Sequence, residues 1–376
     1  MKILHLMSCR GWSSDAYWAT RLTRELERRG HDVTLGCRRG TDDRVIDRAR
    51  REGVERIETF EFRSGTRPGR DVADVRRLAA SLPHVDVVHV HRGKEHWLAA
   101  LANRLSRTPR PLVRTRHIVQ PVRPHALNRW LYREATSLVV TVTEAIRRQY
   151  IAAGLLPPAR VVALPGGVDL LRFHPLLDGA PARRALGVAP DVALIGLVAG
   201  LRVMKGHQVV IDAAGQLAGA GRPFHILFIG RGAIESQIRK AIAAEGLERR
   251  IGVVGFVPDL PAAMAALDLA LYPAIESDGM SRVLFEYLAT GKPVVASRVG
   301  VVPEVLEHGK TALLVPAGDA GALAEAIDRL LDDAALGAKL GAAGSELARS
   351  RFSGAQVAGE LARLYAGLIG GERPAA

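Results

Sequence analysis

From Lys2 onward the chain alternates short, β-branched apolar runs with longer stretches in which apolar residues recur at helical spacing. KILHLMS predicts a strand, 16–29 a helix that Gly30 ends, and HDVTLGC a second strand opened by Asp32, which together make a βαβ unit. The alternation continues with a strand over 55–62, a polar turn through Gly65 and Pro68, a helix over 72–81, the strand DVVHVH, a helix over 95–105, and the strands PLVRTRH and SLVVTVT. These strands are apolar on both sides, as a parallel sheet covered by helices on both faces requires.

A second series follows the Gly/Pro-marked stretch LPGGVDLLRFHPLLDGAP. ALIGLVAG, HILFIG, RIGVVGFV, LALYP, PVVASRV and ALLVP read as strands, separated by helices over 207–218, 235–244, 261–267 and 282–290. The pattern predicts two doubly wound α/β domains joined near 165–185, with ligands bound beyond the C-terminal ends of the strands. Two such sheets facing one another would place two ligand crevices across one cleft, an arrangement suited to a two-substrate reaction.

Composition narrows the class. The 376 residues are 48% hydrophobic and 24% charged, too apolar for disorder and too charged for a membrane bundle. No run approaches the roughly 18–20 apolar residues of a spanning helix, and Met1 to Ser8 is too short for a secretory core, so a cytoplasmic protein is expected. Cys9 and Cys37 cannot staple a chain this long and read as plain core thiols of a reducing compartment. The net charge of +13 changes the picture more, because it is unevenly placed. Residues 1–170 hold 31 basic and 18 acidic side chains, whereas 171–376 hold 21 of each. Such asymmetry suggests that the first half meets an anionic partner; Arg-rich coding bias would have spread over both halves.

The strongest candidate chemistry lies in SDGMSRVLFEYLATGKPVVAS, from Ser277 to Ser297. Gly279 permits a tight turn, Ser281 suits an N-cap, a short amphipathic helix follows, Gly291 stops it, and Pro293 opens a strand. The free amides at that helix start suit a phosphate. Asp278 precedes the turn and Glu286 lies five residues past Ser281, so two carboxylates flank an anion site. A nucleotide-sugar offers that order of groups: sugar hydroxyls, diphosphate, then ribose hydroxyls.

This segment resembles the Glu-x7-Glu signature of retaining glycosyltransferases of the GT-B fold, in particular family 4, with Asp278 and Glu286 in the two acidic places. LPGGVDLLRFHP resembles the family's linker, GLRVMKGH its basic phosphate segment, HILFIGRG its nucleotide loop, VVGFVPDLPAAMAALDLALYP the stretch beside the nucleobase, and PEVLEHGKTALLVPAGD its closing strand region. Together these pieces run along almost the whole chain. The resemblance implies a 1–168 acceptor-binding domain with a returning C-terminal helix at about 354–376, and a 169–353 donor-binding domain. It assigns Arg202 and Lys205 to the donor diphosphate, Gly230 and Arg231 to the nucleotide, the backbone near Val257 to the base, Gly279, Met280 and Ser281 to sugar and phosphates, and Glu286 to the ribose. His117, at the end of PLVRTRH, takes the place of a catalytic-site histidine near the reacting sugar.

Cations preplaced at the leaving phosphate stabilise a transition state in which negative charge builds there. A metal would serve the same end, but the chain has no Asp-x-Asp motif and Asp278 is taken by the sugar, so transfer without metal or other cofactor is expected. The first signature acid is Asp rather than Glu, Gly166 replaces the linker's usual Asn, and Ser13 and Ser14 stand where many relatives have a glycine pair. His89 and His91 alternate with valines at a strand end without a third ligand nearby, and Tyr17, Trp18, Trp97 and Trp130 suit core packing better than an acceptor groove.

The expected function is transfer of a sugar from a nucleotide-sugar to a glycan or lipid-linked acceptor, as in lipopolysaccharide or other cell-envelope polysaccharide synthesis. Two alternatives stay open: a nucleotide-sugar epimerase of the same fold, and a non-catalytic polyanion-binding protein. No aromatic-basic motif points to nucleic acid, and SCRGWSS lacks the dinucleotide fingerprint of a dehydrogenase. Eight arginines and no acid lie between Arg104 and Arg133, around His117, which suggests an anionic acceptor or peripheral contact with an anionic membrane surface.

Overall fold

A computed structural model describes residues 1–277, 279 and 281–371 of the chain. Asp278 and Met280, two of the sequence-predicted site residues, lie outside the described residues. The contacts within the chain divide it into two units: Met1–Gly167 together with the last helix, Gly354–Ile369, and Val168–Ser353.

The first unit is built on β1 (Lys2–Met7), β2 (Asp32–Arg38), β3 (Ile57–Phe60), β4 (Val87–Val90), β5 (Leu112–Arg116), β6 (Leu138–Thr141) and β7 (Val161–Ala163). They form one parallel sheet in the order β3-β2-β1-β4-β5-β6-β7. The second unit contains β8 (Ala193–Val198), β9 (Phe224–Ile229), β10 (Ile251–Val254), β11 (Leu269–Tyr272), β12 (Val294–Ser297) and β13 (Leu313–Val315), parallel in the order β10-β9-β8-β11-β12-β13. Both sheets are doubly wound Rossmann-like halves of the GT-B kind. In each, the order reverses between the first and fourth strands, and the crevice outside that point is where such sheets bind ligands.

Burial explains why the strands read as unbroken apolar runs. Leu194, Leu227, Ala270 and Val294 belong to one buried cluster of the second unit, while their neighbours Ile195, Ile226, Leu269 and Val295 belong to another. Successive side chains point to opposite faces, and both faces are covered. Cys9 and Cys37 are free, buried thiols in one apolar cluster of the first unit, and burial pushes the Cys37 thiol up to about 12.

Several boundaries differ from the sequence reading. The helix expected over 72–81 begins at Pro68 and runs to Ser81, because proline's fixed φ suits a first helical turn whose amide has no partner. The strand expected over 55–62 is confined to Ile57–Phe60, and Phe62 leaves it with a left-handed φ of 38°. Strand β7 and the helix Glu144–Ala152 were not anticipated, nor were the helices Ala320–Asp332 and Ala334–Leu347.

Candidate functional site

In the second unit the reversal point brings together the loops after β8, β9 and β11. The loop after β8 carries Arg202 and Lys205 around a single turn of helix, Val203–Lys205. Gly206 ends that turn with φ 76°, and a Cβ there would sit 1.9 Å from the Pro273 carbonyl oxygen of the loop after β11. Ile275 N donates to Met204 O at 3.0 Å and Leu201 N to Arg231 O at 3.0 Å, which fastens the three loops to one another. Gly230 makes the second close approach: a Cβ would lie 1.9 Å from Ala199 O. Only glycine lets these backbones meet, so Arg202, Lys205, Gly230 and Arg231 share one loop cluster at the C-terminal edge of the sheet.

Ser281 occupies the N-cap position of the helix Arg282–Ala289, as expected, although its hydroxyl makes no cap hydrogen bond among the described residues. Its φ of −94° and ψ of 109° are extended, as an N-cap requires, so the backbone rather than the hydroxyl defines the helix start. Gly279 lies just before, where its amide donates to Ser277 Oγ at 3.2 Å. Glu286, on the same helix, is 2% exposed. One carboxylate oxygen, Oε1, meets Arg282 Nε at 2.9 Å, while Oε2 is buried without a hydrogen-bond partner among the described residues. Burial raises this carboxyl above its ordinary value; the Arg282 and Arg172 charges oppose the shift and Asp169 adds to it. A carboxylate in this state gains most from two hydroxyl donors that arrive together.

Two features went unnoticed in the sequence. Asp169 and Arg172, from the linker stretch, act on Glu286 although they are remote from it along the chain. Phe256, 68% exposed beside half-buried Val257, holds the Arg231 guanidinium 5.8 Å from its ring centroid. The signal available for the latter was an apolar aromatic in the loop GFVPD, where nothing buries it.

In the first unit the corresponding crevice lies at the ends of β1 and β4. Glu95 is fully buried, and its Oε1 accepts from Ser8 N at 3.2 Å and Arg92 N at 2.6 Å, joining the loops after those two strands. Asp15, at the start of the helix Ser14–Arg28, pairs with Arg92 and accepts from the Ser13 hydroxyl. Burial works to raise the Asp15 carboxyl, but the hydrogen bonds from Arg92 and Ser13 and the Arg92 charge hold it well below the usual carboxylate range. His117 directly follows β5 and stands edge-on to Trp18 at 5.3 Å. Burial lowers its pKa to about 3; Asp15 opposes this, and Arg114, Arg92 and Arg116 reinforce it, so His117 is neutral. Trp18 and Tyr17 are buried, as core packing demands, and Trp97 stacks on Trp130 at 5.9 Å.

Two stretches of the chain match known families: residues 16–172 match Glycosyltransferase Family 4, and residues 192–333 match Glycosyl transferases group 1. The chain belongs to the family 4, group 1 glycosyltransferases. It is 32% identical over 258 residues to a 2-deoxystreptamine glucosyltransferase of Streptomyces kanamyceticus, a match covering 66% of this chain and 65% of that one. It is 31% identical over 210 residues to a lipopolysaccharide core biosynthesis mannosyltransferase of Rhizobium meliloti, covering 54% and 60%. The chain thus spans less than two thirds of the length of these curated relatives. Among solved structures, a glycosyltransferase from Rickettsia africae shares the fold with a TM-score of 0.86 at 21% identity, covering 98% of each chain. Anabaena HepE, solved in complex with UDP, does so at 0.83 and 23%, covering 98% of this chain and 100% of its own.

Of the residues that the family resemblance singled out, the second unit of this glycosyltransferase brings Arg202, Lys205, Gly230 and Arg231 into one loop cluster, and sets Gly279, Ser281 and Glu286 along the turn and helix that follow β11. His117 belongs to the other unit. No helix among the described residues is long and apolar enough to cross a membrane. The arginine-rich stretch is divided in its use. Arg110, Arg116 and Arg133 donate to main-chain carbonyls of Leu82, Gln120 and Gly154. Arg114 is 4% exposed, and among the described residues its Nε and Nη1 have no hydrogen-bond partner.

Proposed function

We propose that this glycosyltransferase moves a sugar from a nucleotide-sugar to a glycan or lipid-linked acceptor, with retention of configuration and without a metal. The observation that carries the reading is Glu286: a buried carboxylate with one oxygen paired to Arg282 and the other unpartnered among the described residues, at the strand-order reversal of the second unit. That pattern suits a ribose diol. Arg202 and Lys205 would take the diphosphate and stabilise charge on the leaving phosphate, with Gly230, Arg231 and the backbone near Val257 beside the nucleotide. Asp278, Gly279, Met280 and Ser281 would meet sugar and phosphates. His117 would stand near the reacting sugar, while the departing phosphate oxygen takes the acceptor proton on the same face. Arg114 and the surrounding positive field favour an anionic acceptor or an anionic membrane surface, as in cell-envelope polysaccharide synthesis.

A thermal-shift screen against UDP-, GDP- and ADP-sugars tests the donor site, because a ligand that binds the folded state raises apparent stability by mass action. UDP is the first probe, since HepE was solved with it. A shift with one nucleotide series that Glu286→Gln abolishes is expected; no shift with any of them, or an unchanged shift in the variant, would overturn the assignment. Initial rates unchanged by EDTA are expected, and recovery of activity on adding Mg²⁺ or Mn²⁺ after chelation would remove the metal-independent reading.

A further inference from the structure

Four histidines, His5, His89, His91 and His117, converge at the ends of β1, β4 and β5, and their hydrogen bonds determine where their protons sit. Thr23 Oγ1 donates its one hydrogen to Ala19 O at 2.9 Å, so at the 3.1 Å contact between them His5 Nδ1 must donate to Thr23. A neutral imidazole carries one N–H, which leaves His5 Nε2 as an acceptor, and Tyr365 donates to it at 3.1 Å. The Tyr365 oxygen, having given its hydrogen, accepts from His89 Nδ1, and His89 Nε2 accepts from Thr115 Oγ1 at 2.6 Å. Burial keeps these rings neutral.

His91 stacks on His89 with ring centroids 4.6 Å apart and is 1% exposed. Its Nδ1 lies 3.4 Å from His117 Nε2, and its own Nε2 is buried without a partner among the described residues. The single hydrogen of His91 has two places. On Nε2 it would be an orphaned buried N–H, a costly and rare defect. On Nδ1 it donates to His117 Nε2 and leaves only a bare lone pair behind. We infer that His91 is a positioning residue that fixes His117 as its Nδ1–H tautomer, so that His117 presents an N–H donor from Nδ1 and has no free lone pair for use as a base. Such a ring can donate to a sugar or acceptor oxygen but cannot remove a hydroxyl proton. The occupant of the crevice rests on the function proposed above; the tautomer does not.

The test is a two-bond ¹H–¹⁵N correlation spectrum of the full chain labelled with ¹⁵N-histidine, with His117 assigned by its loss in His117→Gln. His117 is expected to show a protonated Nδ1 and an unprotonated Nε2, with His5 and His89 of the same tautomer. His91→Asn, which keeps an N–H near the Nδ1 position, is expected to preserve the His117 signature. His91→Leu is expected to shift it toward a mixture of tautomers. A wild-type His117 protonated at Nε2, or a signature unmoved by His91→Leu, would overturn the inference, and the wild-type result stands even if a variant fails to fold. Because the readout needs no substrate, a protein that transfers no sugar yet shows this tautomer would refute the function and leave the positioning role intact.

Discussion

Acidification should unfold the first unit well above the pH at which carboxylates protonate. His5, His89, His91 and His96 are each no more than 1% exposed, and burial is the leading cause that lowers every one of them, His5 to about 3 from 6.5. In the unfolded chain they titrate near 6.5, so between about 6.5 and 3 the unfolded state binds more protons and stability is lost as pH falls. From about pH 7.5 to 5.5 one such histidine removes about 1.4 kcal/mol, and these four, with a smaller share from the partly exposed His117, remove about 5–6 kcal/mol, a large part of a typical domain's 5–15 kcal/mol. Glu27, raised to about 7 chiefly by burial, works in the opposite direction over the same window, but it is half-exposed and solvent screening weakens it. Asp15, held low, keeps its contribution until well below that window.

All four tryptophans, at 12, 18, 97 and 130, belong to the first unit, so tryptophan fluorescence during urea titration reads that unit selectively. With a slope of about 2 kcal/mol per molar urea, the midpoint should fall by about 2–3 M between pH 7.5 and 5.5. A fall of less than about 0.5 M would refute the reasoning, because it would mean that these rings are protonated in the folded state or solvated there. His96→Gln removes one of these titrating groups and should shrink the pH-dependent part of the shift by about a fifth.

The same titration at pH 7.5 should show Tyr365→Phe destabilised by about 1–3 kcal/mol, since His5 Nε2 and His89 Nδ1 lose their shared partner; a change below about 0.5 kcal/mol would contradict the network. Gly206→Ala should destabilise the second unit by about 2 kcal/mol or more in calorimetry, because the new Cβ falls 1.9 Å from Pro273 O at a φ of 76°; an unchanged transition would mean that the loop adapts freely. If the proposed transfer is correct, Arg202→Ala and Lys205→Ala should each lower kcat by about 10²-fold with a smaller change in donor affinity, and a loss of donor affinity with kcat unchanged would assign them to binding alone.

The parallel sheets were legible because strands buried on both faces leave a period-free apolar signature, and the glycines and helix ends between them mark the crossovers. Strand β7 was not, because Val161–Ala163 offers only three residues between prolines at 158 and 165 and gains its identity from pairing with β6. The helix Glu144–Ala152 did carry a signal in Thr143, whose hydroxyl accepts from Ile146 N. Glu286 was legible by spacing, but its surroundings were not: the Asp169 and Arg172 charges reach it from a remote part of the chain, and no periodicity encodes that. The meeting of His91 with His117 was hidden for the same reason, since it follows from the pairing of β4 with β5, Val90 opposite Arg114.

The positive first half shows why a count of charges is not a count of ligands. Arg110, Arg116 and Arg133 clamp loop carbonyls, and outside that stretch Arg147 and Arg160 do the same for Val161 O and Ser137 O. An arginine used this way has donors engaged by main-chain oxygens and keeps its charge; Arg147 pairs with Glu144 as well, whereas Arg110, Arg116 and Arg133 hold their carbonyls with no acid paired to them among the described residues. The missing acids between Arg104 and Arg133 therefore follow in part from how the loops are held. The field those arginines create remains, and it acts on any anion that approaches. Among the described residues, the side chains of Arg104, Arg107, Arg114, Arg123 and Arg129 make no hydrogen bond or ion pair. If the acceptor proposed above is anionic, the donors of that smaller set are the ones not already engaged, while the clamping arginines add to the attraction.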